Sequence, residues 1–294
     1  TYNITALNLN GLTVSAGGAA VANGLLASDL SDDAFTNTTS TPVDVVYTVV
    51  PVSGAGCEGD AFTLTVTVNP EPVVADQTLV VCSDELFNYT LENDSDTPNV
   101  VSYNLTAIED NGLTPGSGNS TVQTGYANTA ISSDTWNNTT LNAVDVVYTF
   151  VPVGDNGCEG DAFTVTVTVN PEPVGIASTS TACSGSPFDF DPQDNITTGG
   201  NAVTSTFTWV ITQITGTVSG AALNETGSGN ITGTISNTDA DTATVEYTVT
   251  PTSANGCEGT PFTISVSVSS EPVVADQGFI ACSDGAFGTN FNAS

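Results

Sequence analysis

The sequence predicts an all-β protein made of tandem sandwich repeats of about 100 residues, arranged as an extended rod. Three observations predict it. A block returns along the chain: "GAGCEGDAFTLTVTVNPEPVVADQTLVVCSD" from Gly54, "GDNGCEGDAFTVTVTVNPEPV" from Gly154 and "SANGCEGTPFTISVSVSSEPVVADQGFIACSD" from Ser253. Within it, apolar and Thr/Ser residues alternate with a period of two, the mark of a strand with one buried face. Each copy then ends in a Pro-containing linker, "NPEP" or "SSEP", where proline stops the strand.

Taken along one repeat, each element has its own reason. "TYNITALNLNGLT" at the start of the chain matches "SYNLTAIEDNGLT" at Ser102 with an offset of 101, so the chain is expected to open inside a repeat. The penultimate strand reads "VDVVYTVVP", "VDVVYTFVP" or "ATVEYTVTP". In the third version Val245, Tyr247 and Val249 face one way and Thr244, Glu246 and Thr248 the other. A glycine-flanked loop, "GCEG", follows it and permits a tight turn. The last strand sets Phe62, Leu64, Val66 and Val68 against Thr63, Thr65 and Thr67. Phe163, Val165, Val167 and Val169 repeat this, as do Phe262, Ile264, Val266 and Val268. Boundaries after Pro72, Pro173 and Pro272 give a truncated repeat (1–72), two complete repeats (73–173 and 174–272) and the start of another (273–294). The linkers are short and semi-rigid. A Tyr at the penultimate strand points to an immunoglobulin-like sandwich, with Tyr47, Tyr148 and Tyr247 as candidates for a tyrosine corner or for plain core packing. Trp209 reads as core, and Trp136, in "DTWNNTT", as an exposed strand-end residue.

Composition excludes whole classes of function. The chain has 294 residues, 32 acidic and none basic, for a net charge of -32. Without Lys or Arg it cannot displace phosphate counterions, which excludes nucleic acid and anionic membranes as partners. Hydrophobic residues make up 39% and charged ones 11%, too apolar and too lightly charged for a disordered acidic tail. No His or Lys is present, so Ser-His-Asp, Cys-His and Ser-Lys chemistry and a phosphate-loop Lys are impossible. A carboxylate pair remains conceivable. Yet Glu58, Glu159 and Glu258 recur in "GCEG", and Glu71, Glu172 and Glu271 beside the linker, once per repeat in turns. The expectation is no enzyme and no catalytic residue. Trypsin-like proteases find no site to cut.

Six cysteines without His fit disulfides in an oxidising, extracellular setting better than zinc. Cys57, Cys158 and Cys257 lie 101 and 99 residues apart, as do Cys82, Cys183 and Cys282. Three pairings are open. Cys57 with Cys82 spans two strand lengths, roughly 50 Å in an extended tandem at ~3.3 Å per residue, far beyond the ~5.5 Å between bonded Cα atoms. Pairing within a repeat joins Cys82 to Cys158 and Cys183 to Cys257, each closing about 75 residues for up to ~4 kcal/mol. Cys57 and Cys282 then have partners outside this sequence. The third option joins neighbouring repeats. The intra-repeat pairing is the one expected.

No cofactor is expected. Calcium is the ion to consider, because Glu92–Asn99, Asp189–Asn195 and Asn237–Thr242 are rich in oxygen ligands. They occupy different places in their repeats and match no loop consensus, so solvated turns are the expected reading.

Together, "VEYTVTPTSANGCEGTPFTISVSVSSEPVV", "ADQTLVVCSDE" and "NTTSTPVDVVYTVVP" resemble the PKD-like, immunoglobulin-like repeats of giant surface adhesins of Bacteroidota. The third repeat departs from the others in having Ala177 where Asp76 and Asp276 stand. The resemblance implies type IX secretion, a filament attached at the outer membrane surface, and a part in adhesion and gliding. Its partners would be neighbouring repeats, the cell-surface motility or anchoring machinery and an external substratum or polysaccharide. A glycan- or calcium-binding sandwich module is the alternative.

Overall fold

The structure is a computed structural model. It describes residues 1–93, 98–223 and 226–271, with positions 276, 280, 283 and 284. Cys282, and most of the repeat start expected at 273–294, lie outside the described residues. The chain separates into two compact units, Thr1–Asn137 with Val144–Val169, and Asn138–Ala143 with Asn170–Ser294.

Three repeats are visible as three strand systems. The first holds β1 (Tyr2–Asn8), β2 (Thr13–Ala16), β3 (Ala22–Leu25), β4 (Ala34–Thr36), β5 (Val43–Pro51) and β6 (Phe62–Val68). The second holds β7 (Gln77–Cys82), β8 (Val100–Glu109), β9 (Thr114–Pro115), β10 (Gln123–Tyr126), β11 (Trp136–Asn137), β12 (Val144–Gly154) and β13 (Phe163–Asn170). The third begins with β14 (Ser178–Cys183), β15 (Pro187–Phe190) and the short helix α1 (Gln193–Gly199). It continues through β16 (Ser205–Thr215), β17 (Val218–Ser219), β18 (Thr226–Ser228), β19 (Ile231–Thr234), β20 (Ser236–Asn237), β21 (Ala243–Ser253) and β22 (Phe262–Ser269).

Each repeat has one large sheet, ordered β3-β1-β5-β6, β10-β8-β12-β13-β7 and β14-β22-β21-β16-β18. The facing layer is made of two-stranded ribbons: β2-β4 in the first, β9-β11 in the second, β15-β19 and β17-β20 in the third. Long hairpins of alternating Val, Tyr, Phe and Thr supply the large sheet. The stretches between them are rich in Gly, Asn, Asp and Ser, so their pairings are short.

The alternation read from the sequence sets the core. On β12 and β13, Val146, Tyr148, Phe150, Val165 and Val167 are fully buried, and on β21 and β22 so are Val245, Tyr247, Val249, Ile264 and Val266. In the second repeat Phe150 stacks on both Tyr148 and Phe163, with ring centroids 6.3 and 5.8 Å apart. The first repeat differs. Its last strand was expected to bury one face, but Phe62, Leu64 and Val66 are 47%, 38% and 38% exposed, where Phe163 is 2%. The sheet order gives the reason. β13 has β7 on its outer side and β22 has β14, whereas β6 ends its sheet.

β14 runs parallel to β22, in register from Ser178 opposite Ile264 to Cys183 opposite Ser269. The first strand of the repeat therefore runs alongside its last strand and in the same direction.

Candidate functional site

The recurring feature is the junction, where a linker meets the hairpin loop of the repeat it leads into. Each "GCEG" loop closes by the same bonds. Gly157 N–H donates to Gly154 O and Gly154 N–H to Cys158 O; Gly256 N–H donates to Ser253 O and Ser253 N–H to Cys257 O, all within 2.8–3.0 Å. Gly56, Gly157 and Gly256 have φ of 83°, 80° and 83°, a left-handed conformation that glycine adopts at little cost. An isolated bridge closes the loop base, pairing Val52 with Glu58, Val153 with Glu159 and Thr252 with Glu258.

The second glycine of the motif has a different reason. A Cβ on Gly160 would lie 1.8 Å from the Pro72 carbonyl oxygen, and one on Gly259 would lie 1.9 Å from that of Pro173. The linker backbone thus rests directly on the loop. Asn156 adds a bond from Nδ2 to the Pro70 carbonyl at 2.9 Å. Asn255, at the matching position, bonds from Nδ2 to Asn170 Oδ1 at 2.9 Å.

Beyond the linker, side chains fasten the leader of the first strand. Thr164 N–H donates to Asp76 Oδ1 at 2.6 Å, and this bond holds the Asp76 carboxyl below its usual range. Gln77 accepts from Tyr89 O–H and Glu92 N–H and donates to Glu92 O. The third repeat, with Ala177 in place of that aspartate, uses α1 and its exit instead. Asn195 Nδ2 donates to Ile176 O at 2.6 Å. Asn201 donates to Glu172 O and accepts from Val174 N–H, at 2.7 and 3.0 Å. The missing acidic position is a change of fastening.

The three tyrosines do not form a tyrosine corner. Tyr47 O–H donates to Asp33 Oδ2 and Tyr148 O–H to Asp134 Oδ2, both at 2.8 Å, and Tyr247 O–H donates to Ala222 O at 2.9 Å. Each ties the penultimate strand to a segment 14 or 25 residues upstream, not to backbone a few residues back. Burial, followed by the neighbouring aspartate, raises the Tyr47 and Tyr148 pKa values strongly, and burial pushes Tyr247 up to about 12. Trp136 is buried, contrary to the exposed position expected for it. Its indole Nε1–H donates to the Tyr148 hydroxyl oxygen at 2.7 Å, so the buried ring has its polar partner there. Trp209 is core as expected, edge-on to Tyr247 at 5.5 Å.

The cysteines depart from the intra-repeat pairing. Cys158 and Cys183 carry free thiols, as does Cys57, while Cys82 and Cys257 are disulfide-bonded. The parallel first strand explains the departure. Cys183 sits opposite Ser269, at the end of β22, whereas Cys257 lies in the loop before β22 begins. Eight residues of strand separate the two ends, about 26 Å at ~3.3 Å per residue, against ~5.5 Å for a disulfide.

In two of the calcium candidates, some of the side-chain groups are engaged by the backbone. Asp191 Oδ1 accepts from Gln193 N–H at the start of α1. Asn237 Nδ2 donates to Asp241 O and Val268 O, and Asp239 Oδ2 accepts from Thr217 N–H. Residues 94–97 of the third candidate lie outside the described residues. Among the described residues, no group of three or more His, Cys, Asp or Glu side chains is placed to hold a metal. Likewise, no helix among them is long and apolar enough to cross a membrane.

Several recurring residues carried no chemical signature in the sequence. Asn3 and Asn104 each donate from Nδ2 to the loop glutamate, Glu58 or Glu159, and accept a glycine N–H, from Gly24 or Gly125. Asn37 closes the arch before β5 by donating to Thr41 O and Val68 O, as Asn237 does before β21. Their repetition at offsets of 101 and 99 was the available signal.

Comparison with known proteins agrees with these repeats. The PKD-like domain family matches residues 8–72, 79–173 and 180–272. The chain belongs to that family. No curated protein matches it. Similar solved structures include the FN1–FN3 domains of chicken CNTN1, at 10% identity and TM-score 0.30, covering 77% of this chain and 76% of that one. Extracellular cadherin domains 3–6 of protocadherin gamma B2 reach 7% identity and TM-score 0.31, covering 93% and 68%. Fibronectin(III)-like modules of Clostridium thermocellum CbhA reach 14% identity and TM-score 0.24, covering 70% and 96%.

Proposed function

We propose that this PKD-like chain is a stalk segment of a large cell-surface adhesin filament. It holds a tip away from the cell and supports attachment and gliding, as its resemblance to the flavobacterial gliding adhesin SprB implies. The observation that carries the reading is the junction. Gly160 and Gly259 have no room for a side chain beneath the Pro72 and Pro173 carbonyls. A linker seated directly on the following hairpin loop leaves little slack for a flexible hinge, which suits a spacer. A repeat division at 72, 173 and 272 is part of this reading: Pro72 and Pro173 lie at such seats, and Pro272 is their equivalent in the sequence.

In this reading the chain is exported by type IX secretion, lies outside the cell and catalyses nothing. In the third repeat Cys183 and Cys257 lie at opposite ends of β22, an arrangement that suits joining successive repeats more than bracing one from within. With no basic residue to pair with, the charge of -32 repels like segments and discourages bundling at low salt.

Calorimetric titration of the chain with calcium, beside a glycan array, tests the reading. A stalk gives no saturable binding in either. Saturable binding at a fixed stoichiometry replaces the stalk with a ligand-binding module.

A further inference from the structure

We propose that the first repeat is completed in trans, by residues 272–291 of a second copy of this chain seated on the open side of β6. In the second and third repeats the outer edge of the last strand is covered by the repeat's own first strand, β7 or β14. In the first repeat no strand lies beyond β6 among the described residues, and Phe62, Leu64 and Val66 are exposed there. The register shows which groups face that edge. Thr48 stands opposite Thr63 as Thr149 stands opposite Thr164, so Thr63 turns its N–H outward as Thr164 does, and Thr65 and Thr67 follow with period two. Behind the edge lies an open apolar cavity of about 190 Å³, whose lining includes Ile4, Leu25, Leu30, Val49, Phe62 and Leu64. At Gly59 the nearest atoms to an added Cβ belong to Pro51, and the place where the Pro72 carbonyl rests on Gly160 is open.

The sequence from Pro272 supplies a match for each of these features, in order. Pro272 corresponds to Pro72, and Asp276 to Asp76, whose carboxylate accepts the Thr164 N–H. In the seated copy Asp276 accepts the Thr63 N–H in the same way. By the register of β14 on β22, Gln277 then falls opposite Leu64 and Ala281 opposite Val68. Phe287 and Phe291 stand where Phe87 and Leu91 do. In the second repeat those two are buried in one core with Leu105, Ile131, Phe150, Phe163 and Val165, the counterparts of residues that line the cavity. Phe87 and Leu91 N–H groups bond to the Asp134 and Asn128 carbonyls, and the matching carbonyls of the first repeat are those of Asp33 and Ala27. The turn agrees as well. Asp84 and Asp284 both have left-handed φ, 58° and 66°, and Asn88, at 48°, is matched by Gly288. Of the chain's 32 acidic residues only Asp276 and Asp284 fall within 272–291, so charge opposes the seating weakly. An added strand with apolar anchors in a pocket is a recurring mode of association. Because the two surfaces differ, the contact is heterologous and propagates head to tail.

This completion goes beyond the stalk reading and does not rest on it: its failure leaves the stalk standing, and ligand binding by the chain leaves it untouched. The contact is bimolecular, so it grows with concentration and is lost on dilution. The test is sedimentation velocity of the full chain over a concentration series, in reducing buffer at physiological salt, beside hydrogen exchange at β6. The average mass should rise with concentration. The double variant Phe287→Asp, Phe291→Asp, altered beyond the three repeats, should stay monomeric. A synthetic peptide of residues 271–294 should cap the open edge. At about ten times its Kd it returns the chain to monomer and raises protection of the Thr63, Thr65 and Thr67 amides about 10-fold. A chain that is monomeric at every concentration overturns the proposal. Association that survives both the double variant and the peptide belongs to another surface and overturns it too. Protection of β6 in the monomer, lost in the double variant, means that the segment seats in its own chain, which also overturns completion in trans. Should the double variant not fold, the peptide decides, and unchanged exchange at β6 overturns the seating.

Discussion

Replacing Gly259 by alanine tests the junction at a single atom. The added Cβ would lie 1.9 Å from the Pro173 carbonyl oxygen, against an ordinary contact of about 3.4 Å, so the linker or the loop must move by roughly 1.5 Å. Both are backbone, and no flexible side chain can yield instead. Overpacking of this kind costs about 1–3 kcal/mol. Gly160→Ala meets the Pro72 carbonyl at 1.8 Å and should cost as much. Gly59 is the internal control. It holds the same place in the motif, but an added Cβ would meet the Pro51 ring at 3.1 Å and the Pro51 carbonyl oxygen at an ordinary 3.7 Å, so Gly59→Ala should cost well under ~1 kcal/mol. The assay is hydrogen exchange read by mass spectrometry on the hairpin peptides. It reports local opening and does not require the three repeats to unfold together. Protection should fall about 5-fold or more in the β21–β22 hairpin of Gly259→Ala and stay nearly unchanged in the β5–β6 hairpin of Gly59→Ala. Equal losses in the two variants would refute the seating of the linker on the loop.

Three other outcomes follow from the same structure. Tyr148→Phe removes the hydroxyl shared by Asp134 and Trp136, strands two buried polar groups and should cost about 1–3 kcal/mol by chemical unfolding; Tyr247→Phe, which loses one bond to the Ala222 carbonyl, should cost less. Alkylation of the folded chain should label Cys57, Cys158 and Cys183, and mass spectrometry should find Cys82 and Cys257 labelled only after reduction. The Thr164 N–H lowers the Asp76 pKa from an ordinary 3.8, so that bond stabilises the fold above about pH 4 and is lost as pH falls through the lower folded value. An NMR titration should show the Thr164 amide shifting only below the ordinary value, with the shift absent in Asp76→Asn.

The sequence was most legible where periodicity carried the message. The hairpins β5–β6, β12–β13 and β21–β22 stand where alternation placed them, because period two and a glycine turn leave few other solutions. The first strand was harder to place. A single strand such as "QTLVVC" does not declare its neighbour, and the parallel pairing of β14 with β22 decides that Cys183 and Cys257 lie at opposite ends. The disulfide expectation failed for that topological reason. Trp136 was misplaced because "DTWNNTT" reads as a polar turn, while its partner, the Tyr148 hydroxyl, is 12 residues away. The acidic turns looked like ligand sets. Several of their oxygens, Asp191 Oδ1, Asn237 Oδ1 and Asp239 Oδ2 among them, accept backbone N–H groups, the usual work of Asp and Asn in turns. The second glycine of "GCEG" was read as turn chemistry, and only the packed linker reveals that its missing side chain is the requirement.

The stalk reading rests on repeats that follow one another without folding back, and small-angle X-ray scattering of the full chain measures this directly. With each repeat advancing the chain by about 40 Å, three repeats reach about 120 Å, and a rod of that length has a radius of gyration of about 35 Å. A compact chain of 294 residues has one of about 19 Å. A value near the larger figure, unchanged by calcium, is what the account predicts, and a value near the smaller figure contradicts it.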